Sequence, residues 1–346
     1  PTHSAQAATT SGSARVAGPR AWRHLRIVRG LAALATILTA ALGCDKTSAL
    51  VSSGQAANRP EGEPVDALDL GTQPHILFQV FGETDDPRMI PVAALVDGQL
   101  KAINLSPAGW HRFDELYLRG EKSYTLFSDG RPRGVVRVKR GMWESTGEPL
   151  YSLPGCQALI PLASVKLEAN VPADFTLEYL VSSAPLGHDR PVRAMQPAEV
   201  ARVAKQVGAA AGRSAGIDES LLDSLDLRAV AIQTGTGAEP TLVASFIDPE
   251  AENRTGADAR TTHLFAIAER DATGTYRAAY THRVNGPLAA AMFRRYFDHL
   301  DLTGDGLDEI VLEGWEFGGD SYLAILSYAG GAWKEIFRAR ANWCLD

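Results

Sequence analysis

The first 43 residues contain no acidic residue and no lysine; their only charges are five arginines, Arg15, Arg20, Arg23, Arg26 and Arg29. Methionine is absent before Met89, so the opening residues are expected to reflect a truncated gene product or a non-Met start. The six histidines beyond this leader are His75, His111, His188, His263, His282 and His299. None falls in His-Glu-x-x-His, His-x-His or a comparable spacing, which removes the usual zinc patterns. The chain also lacks a P-loop and G-x-G-x-x-G, and with them the signatures of NTPases and dinucleotide enzymes. Gly235-Thr236-Gly237 reads as a loop with no following helix to cradle a phosphate, and Gly318-Gly319-Asp320 as a hairpin turn.

What is present is a globular composition. Over 346 residues, 45% are hydrophobic and 22% charged, which argues against disorder and allows one large or two ordinary domains. The formal charge is −7; taking the five leader arginines from 34 basic residues leaves 29 against 41 acids. A surface that acidic repels phosphate backbones and anionic head groups, so nucleic-acid binding and electrostatic membrane docking are disfavoured.

Leu31 to Leu42 is an uninterrupted run of apolar residues plus threonine behind the basic stretch, ending in Gly43-Cys44. Spanning a bilayer takes ~20 apolar residues, so the run fits the core of an export signal better than a membrane helix. Ala41-Leu42-Gly43-Cys44 resembles the lipobox of bacterial lipoproteins, with Ala41 where Leu is usual. The resemblance implies that residues 1–43 are removed and that Cys44 is acylated and becomes the new N-terminus. Residues 44–73 then read as a lipidated tether rich in Gly, Pro and Ser. The resulting location is the cell envelope, facing periplasm or exterior, with the choice of membrane open. Cys156 and Cys344 remain, an even number in an oxidising compartment, and are expected to pair; two free buried thiols are the alternative. Their closed loop of about 190 residues would contribute roughly 5 kcal/mol by chain entropy.

The fold class expected is mainly β with a minor α part. Residues 74–168 read as an antiparallel β domain, a barrel or sandwich: Ile76–Phe81 is an apolar run, and Asp97-Gly98 and Asp129-Gly130 are hairpin signals between strand-like stretches. Residues 169–194 read as a connection. In residues 195–346, Pro197 opens an amphipathic helix with Val200, Val203, Ala204 and Val207 on one face, followed by a second short helix and antiparallel β-meanders. His263–Arg283 superposes on Ser321–Arg340 with one gap in the turn, Tyr276 falling on Trp333, which suggests a repeated, propeller-blade-like unit; chance likeness of two hairpins is the alternative.

One motif carries chemistry. In Asp301-Leu302-Thr303-Gly304-Asp305-Gly306-Leu307-Asp308-Glu309, a loop turning at Gly306 offers hard oxygens from Asp301, Thr303, Asp305, the Leu307 carbonyl and Glu309, a set suited to calcium. The stretch resembles the calcium-binding turn of FG-GAP and VCBS repeats, with Thr303 in place of Asn or Asp. The resemblance covers Asp298–Tyr328 and implies a structural Ca2+, not a catalytic one; a metal-free Asp/Gly turn is the alternative. Asp85-Asp86 and Asp114-Glu115 are candidate glycosidase carboxylates by residue type alone. Trp110, Trp143, Trp315 and Trp333 suit either a sugar-binding face or a core. The reading is a non-enzymatic, lipid-anchored envelope protein that binds or scaffolds a protein or glycan; the alternative is an anchored hydrolase acting on polysaccharide or peptide.

Overall fold

The computed structural model describes residues 68–143, 161–169, 176–187, 190, 193–256, 258–317 and 321–339. Cys44, Cys156, Cys344, His188, the apolar run 31–42 and the turn 318–320 lie outside them. Among the described residues no helix is long and apolar enough to cross a membrane.

Strands β1 (His75–Glu83), β2 (Asp86–Val96), β3 (Gln99–Lys101), β4 (Ser123–Ser128), β5 (Arg131–Arg140), β6 (Ala163–Ala169) and β7 (Thr176–Ser182) form one antiparallel sheet. Its order is β1-β7-β4-β5-β6-β2-β3, and β1 also pairs with β2, so six strands close into a barrel and β3 hangs from β2. Closure leaves no free edge within the ring. β7 lies in the stretch read as a connection and completes the barrel between β1 and β4. Alternation sends Ile76, Phe78 and Val80 of β1 into the barrel core, while Leu77, on the opposite face, is buried against another sheet. That is why β1 reads as a continuous apolar run. Helix α1 (Pro107–Phe113), capped by Ser106, continues into a wider turn over Asp114–Leu118 and adds Trp110, Phe113 and Leu118 to this core.

Helix α2 (Pro197–Ser214) and α3 (Glu219–Asp223) lead into two four-stranded meanders. The first is β8 (Asp226–Ile232), β9 (Thr241–Ile247), β10 (Arg260–Arg270) and β11 (Tyr276–Pro287). The second is β12 (Met292–Leu300), β13 (Glu309–Glu316), β14 (Ser321–Ala329) and β15 (Ala332–Ala339). Val200, Val203, Ala204 and Val207 pack on Leu242, Ala244 and Phe246 of the first meander, as the helical spacing requires. Phe246 fits under α2 because residue 208 is glycine: a Cβ there would sit 2.4 Å from its ring.

The layers run α2, first meander, second meander, barrel. Val243, Phe265 and Ile267 face Ile310, Leu312 and Leu326 between the meanders. Val311, Leu323 and Ile325, on the other face, meet Leu77, Phe127 and Leu180 of the barrel. β9 is therefore buried at every position. Two facing meanders bury only one face each, and the helix and the barrel cover the outer faces.

The meanders match beyond their strand count. The β10–β11 ladder breaks register between Ile267 and Ala268, and the β14–β15 ladder between Ile325 and Leu326, the residues that the sequence superposition pairs. A bulge at the same place in both hairpins is a shared irregularity that alternation does not demand.

Candidate functional site

The acidic loop joins β12 to β13 and is held largely by its own atoms. Asp301 accepts from the Gly304 N–H at 2.7 Å and the Gly306 N–H at 3.0 Å. Asp305 accepts from the Leu307 N–H at 2.8 Å. Glu309, 1% exposed, accepts from the N–H groups of Leu302 and Thr303 and from the Thr303 and Ser327 hydroxyls. Burial raises its carboxyl to about 7, against those bonds. Gly304 and Gly306 take φ of 77° and 87°, as the turn needs. The five residues expected to bind calcium thus share one loop, yet among the described residues no three His, Cys, Asp or Glu converge to hold an ion. The Asp301, Asp305 and Glu309 carboxylates each accept from N–H groups of the loop.

A matching arrangement occurs in the first meander. One register step beyond Leu242↔Ala268, Thr241 donates to Glu269 at 3.0 Å; one step beyond Ile310↔Leu326, Ser327 bonds Glu309. Acid and alcohol have exchanged strands while the pair is kept. Glu269 also accepts from Thr236 at 3.0 Å and from the indole N–H of Trp333, in the second meander, at 2.8 Å. Its carboxyl is raised chiefly by burial.

Both Asp-Gly turns of the barrel end on the second meander. Asp97-Gly98 and Asp129-Gly130 have positive φ at both residues, as two-residue hairpins of this twist require. They also dock: a Cβ on Gly98 would lie 2.7 Å from the Thr303 carbonyl, and one on Gly130 2.6 Å from His299 Nε2. The Gly130 N–H donates to Asp298 at 2.9 Å, and the His299 N–H to the same oxygen at 2.8 Å. Around this seam Tyr296 Oη lies 2.6 Å from His299 Nδ1, and Arg190 lies 3.4 Å from Asp308 while donating to the carbonyls of Thr234 and Gly306. Burial pushes the Asp298 carboxyl up to about 7, helped by Asp129 and Asp308, and pushes His299 down to about 4, helped by Arg190 and Arg131. Through the Gly130 N–H to Asp298 bond and the contact of Gly130 with His299, the arrangement joins barrel to meander.

The other sequence candidates are equally structural. Asp114, fully buried, accepts from the Met142 N–H at 2.6 Å and pairs with Arg119; Asp86 sits at the exposed β1–β2 turn, paired with Arg88. Trp110 and Trp333 are buried, and Trp143 stacks on His111 at 3.8 Å. His263 accepts from the Arg294 N–H through Nε2 and lies 2.9 Å from the Phe246 carbonyl through Nδ1, which fixes a neutral ring across the two meanders; burial lowers it to about 3.

An open site lies elsewhere. A groove of about 1170 Å³ runs between α2 and β11. The stripe of α2 from Glu199 and Arg202 to Ala211 and Ser214 forms one wall, and β11 from Tyr276 to Thr281 the other. Its lining holds four cations, Arg193, Arg202, Arg270 and Arg277, against two acids, Glu199 and Glu239.

Comparison with protein-family models, curated proteins and solved structures gave no match. The groove was not visible in the sequence, because Arg193 and Arg202 lie in one stretch and Arg270 and Arg277 in another, far along the chain. Glu269 and Asp298 also escaped notice, although the Thr-Gly-x-Gly run shared by 234–237 and 303–306 marks both loops that flank them.

Proposed function

We propose that this chain is a non-enzymatic envelope protein that binds a partner through the α2–β11 groove. The carrying observation is the groove itself: a concave surface with a net-positive lining on a chain of formal charge −7. Behind it, buried polar groups such as His263, Glu269 and Asp298 are spent on joining layers, which makes the body a rigid support. The anchor rests on the sequence alone, on the basic leader, the apolar run and Gly43-Cys44.

The test places a photo-crosslinking residue at Ala278, in the groove, or at Lys139, on the barrel surface, in the full chain expressed in its own envelope. Discrete adducts are expected from position 278, lost when Ala210→Trp fills the groove. Equal labelling at both positions, or none in the groove, refutes the binding role. Cys44→Ala is expected to release the protein from the membrane fraction, and retention there would end the lipid-anchor reading.

A further inference from the structure

The nature of the partner follows from the wall opposite α2, given the binding role of this groove. β11 is the outermost strand of its sheet, in the order β11-β10-β9-β8, so among the described residues no strand pairs with its outer edge. It is twelve residues long and has no buried position along its length. Tyr276 and Ala278 line the groove, and so does Arg277 between them. Successive residues of a strand point to opposite faces, so a cavity lined by all three reaches round to the strand's edge. The groove therefore meets, on one side, a backbone edge that no described strand pairs with, and is walled by a helix on the other.

Its charge selects among chains that could add there. Arg193 pairs with Glu239 at 2.6 Å and Arg270 with the same oxygen at 3.2 Å, so one carboxylate serves two guanidinium groups. Arg202 is 4.0 Å from Glu199. Arg277 pairs with Asp271 at 2.5 Å; the side chains of Arg193, Arg202 and Arg277 are 62%, 58% and 72% exposed, and ion pairs with one partner so open to solvent contribute only ~0–1 kcal/mol, so these guanidinium groups can turn to another carboxylate. The floor between them is small and apolar, with Val203, Val207, Ala211 and Ala278, which leaves room for alternate side chains of an extended segment.

We propose that the groove takes an acidic peptide segment in extended conformation, which adds as a strand to the free edge of β11 and sets its carboxylates against Arg202, Arg270 and Arg277. Main-chain bonds to the edge supply affinity, and the arginines supply the choice of acidic over basic sequence.

Fluorescence anisotropy with a labelled peptide of alternating Glu and Val, titrated with the whole protein, tests this. Binding is expected to tighten as salt is lowered. Arg202→Glu and Arg277→Glu, both surface changes checked by an unaltered melting curve, should each weaken it by on the order of tenfold, while Lys139→Glu leaves it unchanged. The Lys-Val counterpart should not bind, nor should the Glu-Val peptide N-methylated along one edge. Equal binding of the Lys-Val peptide refutes the charge selection, and equal binding of the methylated peptide refutes strand addition. Arginine variants that aggregate faster but bind as before would make these residues edge protection only. Groove adducts in the envelope without any Glu-Val binding would overturn the acidic-strand proposal while leaving the binding role standing.

Discussion

Replacing Asp298 by Asn isolates one buried ionisation at the seam between barrel and second meander. The side chain is 4% exposed and accepts two backbone N–H bonds through one oxygen, both of which an Asn carbonyl can accept. In the fold the carboxyl titrates at about 7, against an ordinary 3.8. Burial is the largest cause; Asp129 and Asp308 add to it, while the Gly130 and His299 N–H groups oppose it. Because the folded value is raised, the folded chain holds a proton between about pH 4 and 7 that the unfolded chain releases. Stability from this group is complete below the unfolded value and is lost as pH rises through the folded one. At about 1.4 kcal/mol per unit, the loss reaches up to about 4 kcal/mol above pH 7. Urea unfolding across this range should therefore show wild type and Asp298→Asn nearly equal at the acid end, with the variant increasingly more stable towards neutrality. The titrations of His263 and His299, lowered in the fold, act oppositely by losing stability as pH falls below 6.5, but they are common to both proteins and cancel in the difference. A difference that stays constant with pH would refute the buried, protonated Asp298.

Three further outcomes follow from the same packing. Glu269→Ala leaves the Trp333 indole N–H without its acceptor, at about 1–3 kcal/mol; a double-mutant cycle with Trp333→Phe should show coupling, and strict additivity would deny the link between meanders. Gly314→Ala places a Cβ 2.2 Å from the Tyr322 ring and should destabilise by about 1–3 kcal/mol in a thermal melt, whereas a neutral change would mean that the ring is free to move. For a calcium ion held by Asp301, Thr303, Asp305, the Leu307 carbonyl and Glu309, a chelator should lower the melting temperature and Asp305→Ala should abolish that effect; a melting curve unchanged with and without calcium would refute the metal-bound turn.

Local signals carried much of the fold. Pro197 and the spacing of Val200, Val203, Ala204 and Val207 place α2, because a 3.6-residue period on a buried stripe needs no tertiary information. The two Asp-Gly turns are equally local, since positive φ at adjacent residues narrows the choice of side chain. The hairpin superposition of His263–Arg283 on Ser321–Arg340 also matches the structure, down to the bulge. β7 was hidden by the prolines at 172, 185 and 191 on either side of it, and its place between β1 and β4 depends on a pairing 100 residues away in the chain, as between Phe78 and Val181.

By itself, then, the sequence determined strand and helix types, turn positions, the acidity of the chain and the repeated hairpin, all of which follow from residues within a few positions of one another. Tertiary structure alone decided where the acidic loop points its carboxylates, that Gly98 and Gly130 are docking points as well as turns, and that the Thr241–Glu269 and Glu309–Ser327 pairs occupy equivalent places. It also decided that four arginines from two distant stretches share a groove. Those outcomes depend on which faces meet and which N–H groups reach a given oxygen, distances that the order of residues does not encode.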